Sequence, residues 1–317
     1  MGDEFLAKIA VELERALAQR AVNGTPGRAE SRLLAQGNGW TVSDVVCTSG
    51  PQDRAFEERH TRFSIAIVAV GTFQYRSDCS SGAGRELMTP GSLFLGNAGC
   101  AFECGHEHGS GDRCISFGYA PEYFERLAAD AGISGGKPGF RTLRLPPLRS
   151  LSPLLTRAIS SLAGSANGSV NAQWEEISVQ LAAQVVQLSG GSLPNPNGAP
   201  PSAVARVTRA VRKIERHPDG DLTLGNLARE AGLSPYHFLR TFESLTGVTP
   251  HQYVLRARLR AAAMRLAIEP AKVLDIALDC GFGDVSNFNR AFRAEFRVSP
   301  RVYRQQTGSR TLAARIL

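Results

Sequence analysis

The spacing of hydrophobic positions changes character along this chain, and each change marks a new part. Residues 3–21 carry an amphipathic helical pattern that should stop near Asn23 and Gly24, with Pro26 and Gly27 beyond it as helix-stopping residues. From about Trp40 the helical period gives way to short β-branched and aromatic runs. The clearest are 63–75, the strand-turn-strand pattern of Glu86 to Leu95, and the alternating run from Cys114 to Tyr119. Such strands, roughly ten residues apart and punctuated by Gly and Pro, predict a small antiparallel β-barrel or sandwich. Pro121 then opens a helix over 122–131, and two more are expected over 151–162 and 172–188. In the last of these, Trp174, Ile177, Leu181, Val185 and Leu188 form one apolar stripe, which either packs onto the strands or makes a dimerisation seam.

Residues 189–202 are rich in Gly, Ser, Pro and Asn, cannot bury a core, and read as a flexible linker that lets the two halves reorient. Helical spacing returns at once. Val204, Val207, Val211 and Ile214 mark a helix that Pro218-Asp219-Gly220 ends; Leu224 to Ala231 is a second, and Ser234-Pro235 is an N-cap with proline at the first helical position. A longer helix over 253–267 follows, carrying Arg256, Arg258, Arg260 and Arg265. The next helical pair repeats the previous one. Phe238, Arg240, Phe242, Pro250 and Tyr253 recur fifty residues on as Phe288, Arg290, Phe292, Pro300 and Tyr303. Upstream of the turns, Ala228 and Gly232 match Ala277 and Gly281 at an offset of 49, so the second turn holds one extra residue. Each unit reads as helix, tight turn, helix, a pattern whose second helix usually enters a DNA major groove.

Charge agrees with that reading. From Ser202 onward there are 19 basic and 10 acidic residues, against 17 and 19 before it, so the chain's net +7 arises entirely in the duplicated half. Phosphate binding requires such an excess. With 317 residues, 43% apolar and 21% charged, the chain is long enough for two globular domains. No apolar run approaches the roughly 18–20 residues needed to span a bilayer, and the N-terminal pattern, with Asp3, Glu4, Glu12 and Glu14 interspersed, is unlike a signal peptide. A cytoplasmic location is expected, and with it six cysteines (Cys47, Cys79, Cys100, Cys104, Cys114, Cys280) serving as thiols or ligands rather than as a disulfide framework.

Gly281-Phe282, Phe288, Arg290, Phe292, Phe296, Ser299-Pro300 and Tyr303-Arg304 resemble, residue for residue, the signature of AraC/XylS-type transcriptional regulators. The resemblance covers roughly residues 204–306 and includes the tandem spacing. One departure is Arg297, where the family commonly has the glycine that the first unit keeps as Gly247. The upstream strands resemble the family's cupin-like sensory domain. The resemblance implies a multidomain α+β protein: an N-terminal helix (1–24), a cupin-like sensory and dimerisation domain (25–188), the linker (189–202), an all-α DNA-binding domain with two helix-turn-helix units (203–306) and a tail (307–317). It implies a one-component regulator with promoter DNA, RNA polymerase, a second copy of the chain and an effector of unknown identity as partners, no membrane, and no enzymatic activity.

Helical geometry nominates the side chains that would read DNA. With Phe238, Phe242 and Leu245 facing inward, Tyr236 and Arg240 point outward, and Leu239 offers an apolar contact. On the second copy Ser286 and Arg290 are outward, with Val285, Asn287 and Asn289 near the N-terminal end. Arg can bond bidentately to guanine and Asn to adenine; alternatively Arg240 or Arg290 pairs with a nearby acid and supports the fold.

The other chemically loaded stretch is Cys100 to Cys114. If residues 100–108 are extended, Cys100, Cys104, His106 and His108 share one face, and with Cys114 they make a donor set suited to zinc or another thiophilic ion. The alternatives are an effector pocket lined by these residues, and inert packing. The His-x-His pair resembles part of the cupin metal motif, whose downstream glutamate and second histidine are not evident. Two enzymatic classes share parts of the pattern: a cupin-type metalloenzyme fused to a DNA-binding domain, and a DNA-repair methyl acceptor.

Overall fold

The computed structural model describes residues 4–79, 85–132, 139–162, 170–189 and 199–307. Most of the expected linker and nearly all of the expected tail lie outside the described residues. In chain order the elements are α1 (Glu4–Asn23), β1 (Ala29–Gly37), β2 (Trp40–Cys47), β3 (Phe56–Arg59), β4 (Phe63–Gly71), β5 (Phe73–Ser77), β6 (Glu86–Met88), β7 (Leu93–Gly96), β8 (Ala101–Gly105), β9 (Asp112–Tyr119), α2 (Pro121–Asp130), β10 (Arg144–Leu145), α3 (Ser152–Ser161) and α4 (Val170–Ser189). Then follow α5 (Pro201–Arg216), α6 (Leu224–Glu230), α7 (Pro235–Thr246), α8 (Pro250–Ile268), α9 (Val273–Asp279) and α10 (Val285–Phe296).

The strands form two antiparallel sheets, ordered β1-β2-β9-β4-β7-β10 and β3-β8-β5-β6. Strand alternation explains how the larger sheet is covered on both faces. Ile65 and Ile67 of β4, Leu93 and Leu95 of β7, and Ile115, Phe117 and Tyr119 of β9 point toward a core shared with α2, α3 and α4. Val68, Phe94 and Cys114 point the other way, onto Phe73, Tyr75, Met88 and Cys104 of the smaller sheet.

The expected barrel is therefore corrected to two facing sheets that do not close. The reason lies in the run 63–75, which the sequence pattern treats as one strand. A bulge between Val68 and Val70 disturbs its register with β9, and Gly71, at φ 87°, turns the chain out of the first sheet so that it continues as β5 in the second. A Cβ at Gly71 would lie 2.3 Å from the Gly111 carbonyl oxygen, so the crossing needs glycine on steric grounds as well.

The apolar stripe of α4 is also settled. Trp174, Ile177, Leu181 and Val185 are fully or almost fully buried against the larger sheet. That stripe is core, and so it is not available as a dimer seam.

Two further cores build the C-terminal half. One gathers α5, α6 and α7 around Phe238 and Phe242; the other gathers α9 and α10 around Phe288 and Phe292, and α8 contributes to both. The halves also share cores, since Leu87 of β6 enters the first of these and Met264 of α8 enters the sheet-helix core. Packing of this kind opposes free reorientation, the behaviour expected of the linker.

Candidate nucleic-acid interface

Each helix-turn-helix unit is closed by the same local devices. In the first, the Ser234 side chain accepts from the His237 amide at 3.3 Å to start α7; in the second, Asp284 accepts from the Asn287 amide at 2.7 Å to start α10. The turns superimpose in their bonding, with Leu233 N–H on the Ala228 carbonyl (3.0 Å) and Phe282 N–H on the Ala277 carbonyl (3.1 Å). These equivalences make Gly283 the inserted residue, between Phe282 and the Asp284 cap. At the far end, Gly247 at φ 76° and Arg297 at φ 65° both hold the left-handed position that ends the helix. Arg297 is the only non-glycine with positive φ among the described residues. Its substitution for glycine leaves the helix end unchanged and stores the strain of that conformation instead.

Of the eight nominated residues six are exposed and two are half-buried. Tyr236 is 68% exposed, Arg240 is exposed and Leu239 is half-buried on α7; Ser286, Asn287, Asn289 and Arg290 are exposed and Val285 half-buried on α10. Among the described residues neither Arg240 nor Arg290 joins an ion pair; Arg290 instead donates to the Asn287 side-chain oxygen at 3.2 Å. Two guanidiniums therefore stand at the surface of helices whose N-terminal ends favour negative charge.

Other arginines of this half are committed inside the protein. Arg258 donates to the carbonyls of Pro218 and Gly220, Arg260 pairs with Glu215 at 2.6 Å, and Arg265 pairs with Glu269 and Asp279, each at 2.9 Å. Arg256 lies 3.7 Å from Glu295. Part of the basic excess read from the sequence is thus structural.

A feature the sequence did not single out is a pair of arginines just before α3. Arg144 pairs with buried Glu86 at 3.0 Å and donates at 2.6 Å to the carbonyl of Thr246, the last residue of α7. Arg149 donates at 2.6 Å to the carbonyl of Ala294 in the last turn of α10, where Glu295 also meets Ser152 of α3. One short segment of the N-terminal half therefore holds the C-terminal ends of both outer helices. Isolated arginines, one on the two-residue strand β10 and one in the loop after it, carry no sequence signal for this.

The cysteine and histidine stretch is arranged differently from expectation. Strand β8 ends at Gly105, so residues 100–108 are not one extended face. Cys100 forms a disulfide with Cys79, with Cα atoms 5.6 Å apart, which corrects the expectation that all six cysteines are thiols or ligands. Cys104 points into the cluster between the sheets. His108 lines a small cavity, its Nε2 buried without a partner among the described residues. His106 turns to Asp112, Nε2 to Oδ2 2.6 Å, and Cys114 donates its thiol to Asp112 Oδ1 at 3.1 Å. Burial by itself would lower the His106 pKa; the hydrogen bond to Asp112 and that carboxylate's negative charge, with nearby Cys47 adding to the effect, prevail and raise it to about 9. Burial pushes the thiols of Cys104 and Cys114 well up, with Asp112 adding to the effect. All four free cysteines are buried, so none offers the accessible sulfur that methyl transfer from DNA would need.

The fold and the paired units define a two-part protein whose C-terminal half is a tandem helix-turn-helix domain. A family model described as a helix-turn-helix domain matches residues 227–306. The chain is 30% identical over 105 residues to the HTH-type transcriptional regulator MtrA of Neisseria gonorrhoeae, covering 33% of this chain and 35% of MtrA. It is 37% identical over 92 residues to the transposon Tn10 TetD protein of Escherichia coli, covering 29% of this chain and 67% of TetD. The solved DNA-binding domain of the global transcriptional factor AdpA, in complex with a target DNA, aligns at 28% identity and TM-score 0.33, covering 33% of this chain and 95% of that one. The chain belongs to the AraC/XylS family of transcriptional regulators. The match spans about a third of MtrA's length (35%). Among the described residues no helix is long and apolar enough to cross a membrane.

Proposed function

We propose that α7 and α10 enter major grooves of promoter DNA, with Tyr236, Leu239 and Arg240 meeting base edges from the first and Val285, Ser286, Asn287, Asn289 and Arg290 from the second. The observation that supports this most is the duplicate geometry. Two equivalently capped helices each present an arginine that joins no ion pair among the described residues, at the same place on the outer face, while Arg260 and Arg265 of α8 are spent on internal pairs. Selection of bound sequences from a random pool by the wild-type chain, Arg240→Ala and Arg290→Ala tests it. Each substitution should cost about 1–3 kcal/mol on the selected site and relax base preference at a few adjacent positions. An equal loss on every sequence would assign these arginines to phosphates or folding and overturn the reading.

The chain then acts as a one-component regulator of the cytoplasm, with residues 25–188 as a sensory domain, 203–306 as the DNA-binding domain, and a second copy of the chain and RNA polymerase as partners. An effector changes DNA occupancy only if it binds two arrangements of the halves unequally. Arg144 and Arg149 give such a difference somewhere to act, because their segment touches both outer helices.

A further inference from the structure

We propose that Cys47, His106, Asp112 and Cys114 form a binding site for one zinc ion. Three chain segments build it: the end of β2, the turn after β8, and the start of β9. Cys47 and Asp112 are register partners across the β2–β9 ladder, and Cys114, two residues further along β9, shares the face of Asp112. The Cys47 sulfur, a ring nitrogen of His106 and a carboxylate oxygen of Asp112 lie within 4.8 Å of one another, and the Cys114 sulfur is 3.1 Å from the other Asp112 oxygen. The first three have the spread of ligands around one small cation, and Cys114, bonded to Asp112, stands beside them to complete the set.

The chemistry and burial agree. Two sulfurs, an imidazole and a carboxylate suit tetrahedral zinc, whereas calcium and magnesium take oxygen. All four residues are at most 5% exposed. Inert packing explains a buried cysteine but not two cysteine sulfurs placed beside one buried carboxylate and its histidine. Such a carboxylate is costly unless its charge is matched; the His106 ring matches it at 2.6 Å when no ion is bound, and a dication takes over that role. Binding displaces the thiol protons of Cys47 and Cys114, and the proton shared by His106 and Asp112, to solvent. The ring of His106 also lines a small cavity with Thr72, His108 and Thr208 of α5, so the site stands one side chain from the DNA-binding half. This site goes beyond the DNA-reading proposal and does not depend on it.

The test uses the full chain, stripped with chelator and then titrated with Co2+ and with Zn2+ against a chromophoric competitor. One equivalent should bind, cobalt should give a thiolate-to-metal charge-transfer band, and zinc should abolish that band. Cys47→Ser and Asp112→Asn should each weaken zinc binding by at least the roughly 10–100-fold that even an outer-shell partner contributes. The double variant Cys79→Ser/Cys100→Ser should bind as the wild type does. A natively folded wild-type chain that shows no thiolate–cobalt band overturns the proposal, whatever the variants do. So does binding that survives Cys47→Ser and Asp112→Asn but fails in the Cys79/Cys100 double variant.

Discussion

The two helix-turn-helix units share a plan and differ in what holds them. The first starts α6 with a Thr223 side-chain cap, ends α7 with glycine, and shares its core with Leu87 of the smaller sheet. The second starts α9 at Lys272 without a side-chain cap, inserts Gly283 in its turn, ends α10 with Arg297, and keeps a core of its own. Its attachment to the N-terminal half is polar, through Arg149, Ser152 and Glu295. Duplication thus kept the frame of the unit while dividing the labour. The first copy is built into the N-terminal half, and the second hangs from α8 and a polar contact.

The strongest way to break this comparison is to hollow out each core in turn. Phe242 and Phe292 are equivalent and wholly buried, so alanine at either should cost about 3–5 kcal/mol. The consequences should differ in extent. Hydrogen exchange should show Phe242→Ala loosening β6 as well as α6 and α7, because Leu87 loses its packing partners, whereas Phe292→Ala should loosen α9 and α10 and leave the strands protected. Equal spreading from both sites would show that the second unit is as firmly built in as the first.

A smaller effect should separate the two arginine contacts. Arg144→Ala leaves Glu86 buried without its partner, and should cost about 3 kcal/mol, the low end for removing one member of a buried pair. Arg149 is 46% exposed and sits 3.8 Å from Glu295, so Arg149→Ala should cost less than about 1 kcal/mol. Denaturant midpoints at unchanged slope would measure both. Comparable losses would mean that the second contact carries more than its exposure indicates.

How much of this was legible in advance follows from how local each cause is. The tandem units could be read because helix period, caps and turn glycines act over a few residues, and the repeated aromatics at Phe238, Phe242, Phe288 and Phe292 announce the inward face directly. The long strand over 63–75 misled, because its division at Gly71 depends on which sheet each half joins. The Cys100 to Cys114 reading took neighbours in sequence for neighbours in space. Cys47, brought beside His106 and Asp112 by the β2–β9 register, could not be found that way. The basic excess of the C-terminal half counted the α8 arginines along with the rest, since charge in a sequence does not show whether Glu215 or Asp279 waits opposite.

The smallest effect tests the difference at the helix ends. Gly247 and Arg297 occupy the same left-handed conformation, one that costs a side-chain-bearing residue roughly 1–2 kcal/mol relative to right-handed backbone. Glycine relieves that strain but gains freedom in the unfolded chain, worth about 0.4–1 kcal/mol against it. Arg297→Gly should therefore stabilise the second unit by about 0.5–1 kcal/mol, read as a rise in its melting temperature. Gly247→Ala should do the reverse and by more, because its added Cβ would also come within 2.7 Å of Pro146 at the contact with the N-terminal half. If Arg297→Gly instead lowers stability, the arginine is held there by an attraction that outweighs its backbone strain, and the two helix ends are not the equivalent devices their dihedral angles make them.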